Sequence, residues 1–169
     1  MFYGGETAGV VTLLTLLAHK IKVLFVIAED DKVAQIAKNI NLKLESKSSL
    51  DEKKFIEELR SKIDFFFCCH GKKILDANIV RNLKCINLHP CLYKYKGSRP
   101  IRRLILDRNP KASVASHWMS EEIDQGERII EKFKKIENIK SKTESDVYSE
   151  LYPLYSSVII ETIKKISND

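Results

Sequence analysis

Three short runs rich in Val, Ile, Phe and Cys constrain this chain more than any other feature: residues 21–28 (IKVLFVIA), 63–69 (IDFFFCC) and 83–88 (LKCINL). Apolar runs of this length fit strands covered on both faces, as in a parallel sheet. The segments between them carry apolar residues at helical spacing, for example Phe55, Ile56 and Leu59 within 52–62. Strands alternating with helices predict the α/β class. The full order expected is a strand at 1–4 ending in Gly4-Gly5, a helix at 7–19, a strand at 21–28, a helix at 31–40 and a short strand at 42–45. Then come a helix at 52–62, strands at 63–69 and 83–88 on either side of a helix at 72–82, and a loop from Pro90 to Pro100. A helix at 100–108, strands at 112–119 and 127–134 and a long helix at 143–166 complete it. Only three residues precede Gly4-Gly5, so the first strand is expected to be clipped or unusually short. Pro153 is the expected kink point of the last helix.

The 169 residues suit one domain with a single sizeable core, and 44% hydrophobic with 31% charged residues is ordinary for a globular protein. Disordered, collagen-like and repeat architectures are excluded. The surplus of 29 basic over 23 acidic residues suits a phosphate-bearing partner, although its lysines are scattered as on a solvated surface. Cys68, Cys69, Cys85 and Cys91 form no CxxC pair and match no zinc spacing, so no metal is expected and reduced, buried thiols of a cytoplasmic protein are. No apolar stretch is long enough to span a bilayer.

The chemistry concentrates in Cys85-Ile-Asn87-Leu-His89-Pro90. Residues i and i+2 of a strand share a side, so Asn87 and His89 emerge together at the carboxyl end of a parallel strand, where open α/β sheets place ligands. An Asn amide and a His ring suit a developing oxyanion, and His can also exchange protons. Alone, such a pair is more often a loop hydrogen-bonding feature than a catalytic one. Downstream, Ile123-Asp124-Gln125-Gly126 is either a turn closed by its Asp or the site of a carboxylate that orients His89. Spacing does not choose.

Residues 66–134 resemble the catalytic core of the folate-dependent formyltransferases, whose signature is Asn-x-His, often with Pro, then a loop ending in Gly and an Asp in a Leu/Ile-Asp-x-Gly turn. Asn87-Leu-His89-Pro90, Lys96-Gly97 and Ile123-Asp124-Gln-Gly126 follow that order and spacing, and Gly71-Lys-Lys-Ile74-Leu75 resembles the cofactor loop. The resemblance implies a Rossmann-like α/β fold, a largely parallel central sheet flanked by helices, with residues 1–169 as one catalytic domain. It implies 10-formyltetrahydrofolate as formyl donor, Asn87 and His89 as the groups polarising the formyl oxygen, and Asp124 as the group orienting His89 and assisting proton transfer. His70, Gly71, Lys72, Lys73, Ile74 and Leu75, with Ser120, Glu121, Glu122 and Ile123, would line the pterin pocket. Gly5, Lys96, Gly97 and Arg99 are expected on the acceptor side, and His117 in a supporting role.

Within the family, the segment 143–159 looks most like the sugar branch, where the acceptor is the amine of a nucleotide-linked amino-dideoxy sugar. The chain ends after its last helix, which disfavours tRNA, and Gly4-Gly-Glu-Thr-Ala-Gly9 matches the glycinamide ribonucleotide loop poorly. The expected partners are thus a small-molecule substrate, first a nucleotide-sugar, and a second copy in a homodimer, with neither membrane nor nucleic acid. Two rivals stay open: a hydrolase releasing formate, and a nucleotide- or folate-binding module without catalysis.

Overall fold

In the computed structural model, which describes residues 1–168, seven strands form one sheet in the order β3-β2-β1-β4-β5-β6-β7. They are β1 (Phe2–Gly4), β2 (Val26–Ala28), β3 (Leu44–Glu45), β4 (Phe66–Cys69), β5 (Cys85–Pro90), β6 (Lys111–Trp118) and β7 (Arg128–Lys135). The helices are α1 (Glu6–Ala18), α2 (Asp31–Asn39), α3 (Lys53–Lys62), α4 (Ala77–Asn82), α5 (Pro100–Leu106) and α6 (Glu144–Ile166). β1 to β5 pair in parallel, and β6 and β7 close one side antiparallel.

Period-two alternation divides the central strands between two cores. Phe2, Phe67, Ile86, Leu88 and Val114 face Leu13 and Leu16 of α1 and the α6 stripe of Val147, Leu151, Tyr155 and Val158. Tyr3, Ile27, Phe66, Cys68 and Cys85 face Phe55, Ile56 and Leu59 of α3 and Ile79 of α4. Each such Leu or Ile contributes about 1.5–3 kcal/mol by leaving water. A capping box between Thr143 and Asp146 starts α6, and the helix continues through Pro153 without a break.

Several boundaries move for identifiable reasons. Only Val26–Ala28 of the 21–28 run is strand, because β1 offers Phe2 to Gly4 as its partners. The residues ahead serve other bonds: Ile21 N–H closes the end of α1 on the Leu16 carbonyl, and the Phe25 carbonyl accepts from Phe2 N–H. β4 begins at Phe66 rather than 63, its first amide bonded to the Lys84 carbonyl. The helix expected from residue 72 begins at Ala77, capped by Asp76, whose carboxylate accepts from Asn78 N–H at 2.8 Å. β5 extends through His89 to Pro90, because β6 carries the pairing on to Val114. Two 3-10 turns, Lys47–Asp51 and Ile139–Ser141, have no periodic signal in the sequence.

All four cysteines are free and buried. Burial pushes the thiols of Cys69 and Cys85 up to about 12 and that of Cys91 to about 11. Native protein at pH 8 should therefore resist iodoacetamide at every cysteine and label fully only in denaturant. Rapid native labelling, read by mass spectrometry, would contradict this packing.

Candidate active site

β5 outruns its parallel neighbour. Cys69 is the last β4 residue in register, opposite Leu88, whereas His89 and Pro90 pair only with Ala115 and Val114 of β6. Asn87 and His89 share the strand face of Cys85, so both stand at the carboxyl edge of the sheet. His117 of β6 lies directly opposite Asn87. At that point the β6–β7 register shifts, from Ser116 opposite Ile130 to His117 opposite Arg128. A bulge of this kind re-aims the side chains beside it.

Asp124 reaches the same place from the turn after β6. Its φ of 55° lies in the left-handed region, which Asp tolerates better than most side chains. Gly126 makes the turn close: a Cβ there would lie 1.7 Å from the Trp118 carbonyl oxygen. Trp118 N–H then donates to Glu127 O, and Met119 N–H to Cys85 O, both at 2.8 Å.

The result is one connected network. Asp124 Oδ2 lies 3.0 Å from His89 Nε2 and accepts from Gly97 N–H at 2.7 Å. Asp124 Oδ1 lies 3.5 Å from His117 Nε2, which is 3.3 Å from Asn87 Nδ2. Each imidazole is anchored at Nδ1 by the carbonyl of the next residue, His89 on Pro90 O at 2.8 Å and His117 on Trp118 O at 2.9 Å. Both rings thereby present Nε2 to the carboxylate. Burial raises the Asp124 carboxyl, but hydrogen bonds from His117 and His89, the His89 charge and the Gly97 amide outweigh it and hold the group well below the ordinary carboxylate range. The Asn87 amide and the His89 imidazole can stabilise an oxyanion, and the carboxylate fixed beside them can orient the ring and relay a proton.

A pocket opens beside this network. Its walls are Tyr3, the 71–75 loop and Val80 on one side, and Met119, Ser120, Glu121 and Ile123 on the other, with Asn87, His117 and Asp124 at its end. Ile74 and Ile123 are 71% and 56% exposed, so each wall offers a bare apolar side chain. Arg81 binds Glu121 through two bonds of 2.5 and 2.6 Å, tying α4 to the far wall.

Not every expected residue faces this pocket. Gly71, Lys72, Lys73, Ile74, Leu75, Ser120, Glu121 and Ile123 line it, whereas His70 and Glu122 do not. His70 takes a φ of 57° and turns to the opposite side, with Nε2 2.8 Å from Tyr155 Oη and Nδ1 3.1 Å from Glu6. On the expected acceptor side, Gly97 touches both Asp124 and His89, its carbonyl 3.1 Å from His89 Nε2. Lys96 Nζ donates to Gln125 at 2.5 Å, and Arg99 stands exposed before α5. Gly5 precedes a helix start already held by carboxylates: Glu6 N–H donates to Asp30 Oδ2 at 2.5 Å, and Glu6 adds its own charge. Those charges occupy the position a phosphate would take at a helix N-terminus. His117 is more central than its sequence context indicates, since it bridges Asn87 and Asp124. The signal was its place in the alternation of β6, one face of which carries Ser113, Ala115 and His117.

A carboxyl depressed in the folded state adds stability that is complete above the ordinary aspartate value and is lost as pH falls through the folded one. Asp124→Asn should therefore cost about 2–4 kcal/mol at pH 7, a deficit that holds down to the ordinary aspartate range and shrinks below it. Urea unfolding of both proteins across pH checks this; a deficit that already disappears at pH 6 would contradict it.

Residues 6–163 match the Formyl transferase family model. The methionyl-tRNA formyltransferase of Campylobacter jejuni is 35% identical over 118 residues, covering 69% of this chain and 38% of the relative. The chain thus spans well under half the length of that protein. Among solved structures, a phosphoribosylglycinamide formyltransferase from Campylobacter jejuni superposes with a TM-score of 0.77 at 21% identity, covering 98% of this chain and 94% of that one. A sugar N-formyltransferase from Shewanella superposes with a TM-score of 0.75 at 19% identity, covering 96% and 67%. These two likenesses speak to the Rossmann-like fold; the family match over nearly all of the chain speaks to descent. This chain belongs to the formyl transferase family.

Proposed function

We propose that the chain transfers a formyl group from 10-formyltetrahydrofolate to a primary amine, with Asn87, His89 and Asp124 as the catalytic set. The observation that carries this is the ionised Asp124 carboxylate, linked to His89 at 3.0 Å and through His117 to Asn87, at the end of a pocket whose walls mix apolar side chains such as Ile74 and Ile123 with polar ones. The pocket fits the donor: Ile74 and Ile123 suit the flat faces of a pterin and its aryl group, and the adjoining loop backbone suits a ring edge with mixed donors and acceptors.

Asn87 supplies an amide N–H to the formyl oxygen as the amine adds to the formyl carbon and charge builds on that oxygen, and His89 joins it only by sharing its Nε2, which lies 3.0 Å from Asp124, between the carboxylate and that oxygen. Asp124 keeps the His89 ring and a water oriented and thereby assists the departure of the proton that the amine nitrogen loses. The same proton is then available to the leaving folate nitrogen as its bond to the formyl carbon breaks. The products are a formamide and tetrahydrofolate, so atoms and charge balance without a metal or redox partner.

For the acceptor, the resemblance of the 143–159 segment to the sugar branch supports the amine of a nucleotide-linked amino-dideoxy sugar, although Asp146 caps α6 and Tyr155 is buried against His70. A second reading, methionyl-tRNA, is favoured by the 35% identical relative of that name. The acidic start of α1 argues against a ribose phosphate held there. Reduced, buried thiols are in keeping with a cytoplasmic setting.

Asn87→Ala, His89→Ala and Asp124→Ala should each lower turnover by about 10²–10⁴-fold while the protein stays folded by circular dichroism. Turnover at the wild-type level in Asp124→Ala would overturn the mechanism. Calorimetric titration with 5-formyltetrahydrofolate, then with TDP- and UDP-linked amino sugars and methionyl-tRNA, identifies the acceptor. Absence of folate binding would overturn the donor assignment.

A further inference from the structure

We propose that Tyr3 and Glu29, which lie outside the catalytic set, are positioning residues that hold the 71–75 loop in its donor-binding shape. This rests on the assignment of that loop to the folate pocket. Tyr3 is the second residue of β1 and is 1% exposed. Its ring is the floor of the loop: a Cβ on Gly71 would lie 2.4 Å from Tyr3 Cε1, so only glycine lets the chain pass. Its hydroxyl accepts from Lys73 N–H at 2.9 Å and donates to Glu29 Oε2. Glu29, the residue after β2, accepts from Lys72 N–H at 3.1 Å on that same oxygen and from Lys47 Nζ at 3.0 Å on the other.

Two consecutive loop amides are thus used inside the protein, which leaves recognition by this loop to its other groups, the exposed Ile74 among them. It also explains why the segment is a loop, although its sequence permits helix: the amides of Lys72 and Lys73 are bonded to side chains from β1 and the end of β2. From its outer side, Asp51 of the 3-10 turn binds Lys73 Nζ at 2.5 Å.

Core packing alone does not call for this arrangement. Tyr3 belongs to an apolar cluster with Ile27, Phe66 and Cys68, where Phe would pack as well. The Glu29 side chain is 8% exposed, and burying a carboxylate is costly unless its partners are in place. The chain of bonds from Glu29 through Tyr3 to the loop has one evident product, a fixed backbone path along one wall of the pocket that ends at Asn87.

Tyr3→Phe keeps the ring over Gly71 and removes only the hydroxyl. The experiment measures the Kd for 5-formyltetrahydrofolate, the KM for donor and for acceptor, kcat, the melting temperature, and amide hydrogen exchange at Lys72 and Lys73. Expected is a rise of about ten-fold in Kd and donor KM, the equivalent of one hydrogen bond. Acceptor KM and kcat should stay within about two-fold, melting should fall by about 2–6 °C because Glu29 and Lys73 N–H each lose a partner, and protection at Lys73 should fall. Glu29→Gln, which keeps the shape, should be milder than Glu29→Ala. Wild type and Tyr3→Phe binding folate equally, with equal protection at Lys73, would overturn the proposal while leaving the formyl-transfer reading intact. Failure of the wild type to bind folate would overturn both, and the exchange data would then show whether the loop is nevertheless held as described.

Discussion

The Asp124 carboxylate is the contact on which the site depends. It joins two segments of chain that are distant in sequence, His89 and the Gly97 amide from the end of β5 and the loop after it, and His117 with its own turn from β6. A carboxylate buried to this degree is tolerable because the Gly97 N–H and two imidazole nitrogens stand against its oxygens. The constraint works in both directions. The donors keep Asp124 ionised, and its charge fixes two imidazoles whose other nitrogens are anchored on neighbouring carbonyls.

The sheet supplies the setting. β5 runs beyond β4, so His89 has a neighbouring strand on one side only, and the antiparallel β6 returns His117 to face Asn87. The bulge at Ser116 and His117 and the close passage of Gly126 under Trp118 O bring Asp124 back over the strand end. The opposite wall is built differently. There the 71–75 loop is tied down by side chains rather than by a sheet ladder, with Tyr3 beneath it and Glu29 behind it. One edge of the fold therefore holds a rigid charged end and a slot of mixed polar and apolar lining with a defined path.

Much of this was legible in the sequence because it is periodic or ordered. The runs at 63–69 and 83–88 and the α6 stripe show their elements directly, and Asn87, His89 and Asp124 share a family signature that points to one site. What was hidden depends on partners remote in sequence. Residues 21–25 read as strand, yet β1 provides pairing only for Val26–Ala28. Residues 72–76 read as helix, yet two of their amides are bound by Tyr3 and Glu29. His70 belongs to the cofactor segment by position, but its left-handed backbone sends it to Glu6 and Tyr155 on the opposite side. Such outcomes follow from tertiary hydrogen bonds, to which local propensity is blind.

The most direct test of the central claim follows one carbon atom. Donor labelled with ¹³C at the formyl group is incubated with the protein and a panel of nucleotide-linked amino sugars and methionyl-tRNA, and the label is traced by NMR. The account predicts that it moves to a formamide on one of these amines, with tetrahydrofolate released in equal amount. Label appearing only as formate, with or without an amine, would contradict transfer and assign hydrolysis to the same three residues. Label remaining on the donor in every mixture would contradict catalysis by this chain.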